Sequence, residues 1–165
     1  MKSKTRILWR LGYLGIFAYY LLLPSFAAQA AVFFVNNSSD VVDISPGNGV
    51  CETGPGNGIC TLRAAIMEAN ALAGADHIVL PSLPAPNTYT LTLVDELTIG
   101  GSDLTIIGAG ASTTIIDGNK NLRPNSGVLI INSGVTANIS GVTIRNGATN
   151  FGGGGIANFS TIDAH

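Results

Sequence analysis

Two cysteines, a scatter of carboxylates and two histidines are the groups in this chain that could do chemistry, and their spacing decides which chemistry is open to them. Cys51 and Cys60 stand nine positions apart and bracket the second half of a segment made almost wholly of turn-formers. In an oxidising compartment they are most simply a disulfide closing that loop, a small ring that contributes about 2–3 kcal/mol by the loop-closure model. The rival use is a metal site, but two thiolates with neither His77 nor His165 nearby give no tetrahedral ligand set. Asp40, Asp43, Asn48 and Glu52 place several oxygen ligands close together and could hold a calcium ion. Their spacing does not follow the alternating acidic ligands and terminal Glu of a calcium loop, and turn residues satisfying their own backbone explain them more simply.

Chemistry on polysaccharides would need carboxylates gathered on one surface. The acids Asp95, Glu96, Asp103, Asp117 and Asp163 are scattered, and Lys120, Arg123 and Arg145 are likewise isolated. His77 precedes an apolar strand and His165 is the last residue given, neither beside an acid or nucleophile. Solvated turn charges account for all of these, so no catalytic, metal or cofactor residue is assigned. Gly108-Ala109-Gly110 imitates a dinucleotide fingerprint, yet Thr113 stands where its third Gly or Ala belongs and a strand follows instead of a helix. The glycines at 152–155 read as a tight corner before Ile156.

The elements that must position these groups begin with a leader. Lys2, Lys4, Arg6 and Arg10 form a positive start, Leu11 to Leu23 an apolar run of thirteen residues, and Pro24-Ser25 breaks it ahead of Ala28-Gln29-Ala30. Residues 1–30 therefore read as a signal peptide cleaved between Ala30 and Ala31; the alternative, an uncleaved anchor, is short of the roughly 20 apolar residues that span a bilayer. Four of the eight Lys and Arg lie in this leader and the formal net charge is −2, so there is no basic field for nucleic acid. Contact with membrane is confined to the leader. Residues 31–60 read as a first strand at Val32 to Val35 followed by the cysteine loop, and residues 61–75 as the one amphipathic helix of the exported part. Thr61 is its N-cap, Leu62, Ile66, Ala69 and Ala73 fall on one face, and Gly74 stops it.

From residue 76 to 165 the chain is short β-branched runs ended by Gly or Asn: Asp76 to Pro81, Thr88 to Leu93 with Tyr89, Leu91 and Leu93 on one face, Leu104 to Ile107, Thr114 to Ile116, Val128 to Ile131 and Val142 to Ile144. They follow one another too closely for crossover helices, which excludes a βαβ sheet. Ile130-Ile131-Asn132-Ser133-Gly134 set against Ile156-Ala157-Asn158-Phe159-Ser160 gives an offset of 26, with the Asn superposed and Thr136 over Ile162. The expected fold is mainly β, a right-handed parallel β-helix with Asn-rich corners, capped by the helix at its N-terminal end. Its C-terminal turn is expected to be incomplete, with Ile156 and Ile162 at an open edge through which copies associate.

The phrases PGNGVC, CTLRAAIMEANAL, HIVLP, TYTLTL, LTIIGAGASTTIIDGN, ISGVTIRNG and GGGGIAN together resemble the secreted proteins named for a CSLREA motif. The motif's Glu is Ala64 here, which removes the reciprocal half of a capping box and weakens the helix start by up to about 1 kcal/mol. The resemblance implies a right-handed parallel β-helix at the cell surface or beyond, with no catalytic set to carry over. The function expected is structural, adhesive or ligand-binding, with surface glycans or host proteins as partners. The alternative is a carbohydrate-active enzyme, a polysaccharide lyase or glycoside hydrolase of the same fold type.

Overall fold

The computed structural model describes residues 29–82, 87–150 and 153–160. The leader up to Ala28, most of the Pro-rich connection after Ser82, Gly152, Ile162, Asp163 and His165 lie outside the described residues.

Among the described residues ten strands and one helix follow in chain order: β1 (Val32–Phe34), α1 (Leu62–Ala71), β2 (Asp76–Leu80), β3 (Thr88–Thr90), β4 (Leu97–Ile99), β5 (Leu104–Gly108), β6 (Ile115–Asp117), β7 (Leu129–Ile131), β8 (Ala137–Ser140), β9 (Thr143–Arg145) and β10 (Ile156–Asn158). The fold is mainly β, and every pairing between these strands is parallel. They form three sheets, ordered β1-β2-β5-β8, β3-β6-β9 and β4-β7-β10. From β2 onward the chain passes through the three sheets in the same sequence, β2-β3-β4, then β5-β6-β7, then β8-β9-β10. From β2 onward no strand pairs with its neighbour in sequence, which is why short connections without crossover helices suffice there; β1 and β2 do pair, and the chain between them contains α1.

Alternation along each strand supplies the core. Phe33, Ile78, Ile106 and Ile139 lie in one ladder row, Tyr89, Ile116 and Ile144 in a second, Ile99 and Ile131 in a third. Most of these are buried, and together with Leu80, Leu91, Leu97, Leu104, Val128 and Leu129 they make a single apolar cluster. Like residues stacked on like fill the interior, and their burial is the main term holding the sheets together.

α1 begins as its sequence dictates: the Thr61 side chain accepts from Ala64 N–H at 3.1 Å, and its hydroxyl donates to the Val41 carbonyl at 2.6 Å. The helix packs on β2 and β4. It is not one-sided, however. Seven of its ten residues are buried, among them Arg63 and Glu68, while Ala73, expected on the apolar face, lies past the C-cap at Leu72 and is exposed. The polar face is covered because the turn-rich segment folds back over it. Glu68, fully buried, accepts from the N–H groups of Gly47, at 2.6 Å, and of Gly49. Asn70 bridges to β4, donating to Thr98 O at 2.7 Å and accepting from Gly100 and Gly101 N–H.

Three further expectations are corrected. Leu93 is 38% exposed, because the chain leaves the sheet after Leu91 and its N–H turns to Asp40 Oδ2. Ile156 lies opposite Leu129, so the offset is 27 and not 26; Asn158 faces Ile131 and does not superpose on Asn132. Inward apolar side chains set this register, and the shared Asn at 132 and 158 stand one position out of it. β4 and β8 were not expected as strands.

Candidate ligand-binding face

On the outward side of the sheet β3-β6-β9, register brings together residues that look isolated in the sequence. Thr90 pairs with Asp117 and Asp117 with Arg145, a row across three adjacent strands; Thr88, Ile115 and Thr143 make the row beside it. Arg145 Nε donates to Asp117 Oδ2 at 2.8 Å, and Asn146 Nδ2 donates to the same oxygen at 2.9 Å. Asp117 Oδ1 accepts from Asn119 N–H at 2.9 Å.

The strands stop at left-handed residues, Asn119 with φ 52° and Asn146 with φ 54°, the only two non-glycine residues with positive φ among those described. Asn tolerates this conformation better than most side chains. The corners they make turn the backbone away and leave Lys120 and Asn121 at the margin of the face. Thr88, Thr90, Asp117, Asn119, Lys120, Asn121, Arg145 and Asn146 line an open cleft of about 350 Å³.

Burial works against the charge on Asp117. Hydrogen bonds from Asn119 N–H, Arg145 and Asn146, with the Arg145 charge, more than offset it and hold the carboxyl below the usual carboxylate range. Asp117 is therefore ionised at neutral pH and is an acceptor and anchor rather than a proton donor. Half of the Arg145 side chain remains exposed, and Lys120 is exposed beside it. Two hydroxyls, three amides, two cations and one fixed anion make a polar surface suited to a ligand rich in hydroxyl groups.

The other chemistry-bearing residues lie elsewhere. Cys51 and Cys60 are joined in a disulfide with Cα atoms 5.1 Å apart. The four oxygen-bearing residues of the first loop do not converge. Asp40 pairs with Arg63; Asp43 accepts from Ser45 and Glu52 N–H, Asn48 from Val50 N–H and Glu52 from Gly56 N–H. Arg123 is buried and donates to the carbonyls of Gly118 and Val94. Glu96 accepts from Gly127 N–H and Asp103 from Thr136 N–H. His77 stands on β2 between Val32 and Thr105. Gly108 ends β5, and its missing side chain is required because a Cβ there would overlap the Gly141 carbonyl. A strand, β6, follows the glycine pair.

Sequence reasoning noted Asp117, Lys120 and Arg145 singly and passed over Thr88 and Thr90. The signal that unites them is that Asp117-Gly118-Asn119 and Arg145-Asn146-Gly147 each close a strand. Comparison with protein-family models, curated proteins and solved structures returns no match.

Proposed function

We propose that this chain is a secreted or surface-attached module of the right-handed parallel β-helix type, akin to the CSLREA-motif proteins, and that it binds glycans on the outward face of β3-β6-β9. The observation that carries the binding role is the row Thr90, Asp117 and Arg145 with its Asn corners and free Lys120. A repeated three-sheet path gives a stiff support for side chains spaced at the roughly 4.8 Å interval of adjacent strands, which suits an extended saccharide. The disulfide suits an oxidising compartment, and among the described residues no helix is long and apolar enough to cross a membrane.

A two-carboxylate glycosidase would require a second acid near Asp117, and the cleft lining contains none. Binding without turnover is the role this lining supports best. Titration of the exported protein against a panel of neutral and acidic oligosaccharides tests it: at least one should bind, and Arg145→Ala should weaken it about fivefold or more, the value of one or two lost hydrogen bonds. Failure of every glycan, or binding indifferent to Arg145→Ala and Lys120→Ala together, would remove the face from consideration.

A further inference from the structure

Asp76, at the start of β2, has 1% of its surface exposed. Among the described residues its Oδ1 accepts one hydrogen bond, from Ala31 N–H at 2.7 Å, and its buried Oδ2 has no partner. No cation lies against it among the described residues, where the ion pairs are Arg63 with Asp40 and Arg145 with Asp117. A carboxylate taken out of water and met by a single neutral N–H is poorly compensated. The residue that supplies that N–H is the first after Ala28-Gln29-Ala30, the expected processing site.

We propose that cleavage of the Ala30–Ala31 bond completes this site, and that the new α-ammonium of Ala31 is the missing partner of Asp76. The inference rests on the reading of the chain as exported and processed. Hydrolysis by an export peptidase puts the oxygen of water on the Ala30 carbonyl carbon, giving a carboxylate, and both its protons on the departing nitrogen, giving an ammonium. An internal amide offers Asp76 one N–H and no charge. The ammonium offers three N–H groups and a full positive charge, so Oδ1 keeps its bond and a donor becomes available for Oδ2.

The surroundings are built for it. Gln29 and Ala30 are exposed, where a peptidase reaches them, while Ala31 is half-buried against the core cluster. The Ala31 carbonyl accepts from His77 N–H at 2.8 Å, which fixes the residue just ahead of β1. Gly74, with φ 126°, lets the segment before Ala31 pass closely: a Cβ there would lie 2.9 Å from the Gln29 carbonyl oxygen. Processing thereby fastens the first strand, and an unprocessed chain holds that strand less firmly.

The test uses the full precursor, exported and purified, in four forms: the natural sequence, one with Gly-Ser inserted after Ala30, Asp76→Asn, and both changes together. Mass spectrometry first locates the new N-terminus, which tests the processing itself separately from the pairing. With cleavage after Ala30, the insertion should lower the melting temperature by several degrees in the natural background and change it little in Asp76→Asn. The Ala31 amine should also acylate much more slowly in the native protein than after denaturation, while the inserted Gly amine reacts at the free rate. Should Asp76→Asn fail to fold, this amine protection decides the matter alone. Equal melting losses in both backgrounds, or an Ala31 amine as reactive as a free one, would overturn the pairing; an N-terminus elsewhere would overturn the processing.

Discussion

Asp40 ties distant parts of the chain together. Arg63 donates to it through Nε at 2.5 Å and Nη2 at 3.1 Å, Thr92 and Leu93 N–H add two more bonds to Oδ2, and Arg63 continues to the Asp95 carbonyl at 2.9 Å. One buried pair thus joins the first loop, α1 and the segment after β3. Burial opposes the Asp40 charge, but the bonds from Arg63, Leu93 and Thr92 outweigh it and lower its proton affinity. A carboxyl depressed in the folded state gives stability that is fully present above its unfolded value near 4 and is lost as pH falls through the folded value. Asp117 acts in the same direction. Asp40→Ala should therefore cost about 3–5 kcal/mol at pH 7, since it strands Arg63 in the interior, and Asp40→Asn should flatten the loss of stability below about pH 4. Urea melts across pH 2.5–7 read both effects. The pairing of Asp40 with Arg63 was not legible in the sequence, because the partners stand 23 positions apart and both look like ordinary surface charges.

At the scale of elements, what the sequence disclosed depended on whether local pattern or distant pairing sets the outcome. The cap at Thr61 and the start of α1 are local, and they fall where the sequence puts them. Thr61→Ala should cost about 1–2 kcal/mol in a chemical melt, the upper part of the usual range because the hydroxyl also bonds Val41 O. β2 and β5 were legible as short β-branched apolar runs, ended by Pro81 and Gly108. β4 and β8 were not: Leu97-Thr98-Ile99 is only three residues long, and Ala137–Ser140 carries little apolar signal and exists because it continues the sheet beside β5. The grouping of Thr90, Asp117 and Arg145 was hidden for the same reason, since only register places them in one row. Close approach between elements makes a second prediction. Gly101 packs so tightly on the end of α1 that a Cβ would overlap the Asn70 carbonyl, so Gly101→Ala should destabilise the protein by more than about 1 kcal/mol, whereas Gly134→Ser, with open space and φ 83°, should cost less. Comparing the two midpoints in one denaturant series separates steric contact from backbone preference.

Among the described residues each strand from β5 onward pairs in parallel with the strand three places before it. Among the described residues β8, β9 and β10 each have a partner on one side only, and Ile156 is 41% and Phe159 65% exposed beside them. Such edges are templates for further strands, and we propose that copies of this chain associate there. Light scattering should show mass rising with concentration, and Ile156→Lys should suppress it; a monomer at every concentration would exclude that contact. The face proposed to bind glycans depends more deeply on register, because a slip of one residue would send Asp117 inward and Ile116 outward. The most direct test of the account is therefore the set of inter-strand nuclear Overhauser contacts in isotope-labelled protein. Parallel pairing predicts backbone contacts from Ile116 to both Tyr89 and Ile144, and from Asp117 to both Thr90 and Arg145. Antiparallel contacts between β5 and β6, or the same pattern displaced by one residue, would contradict it.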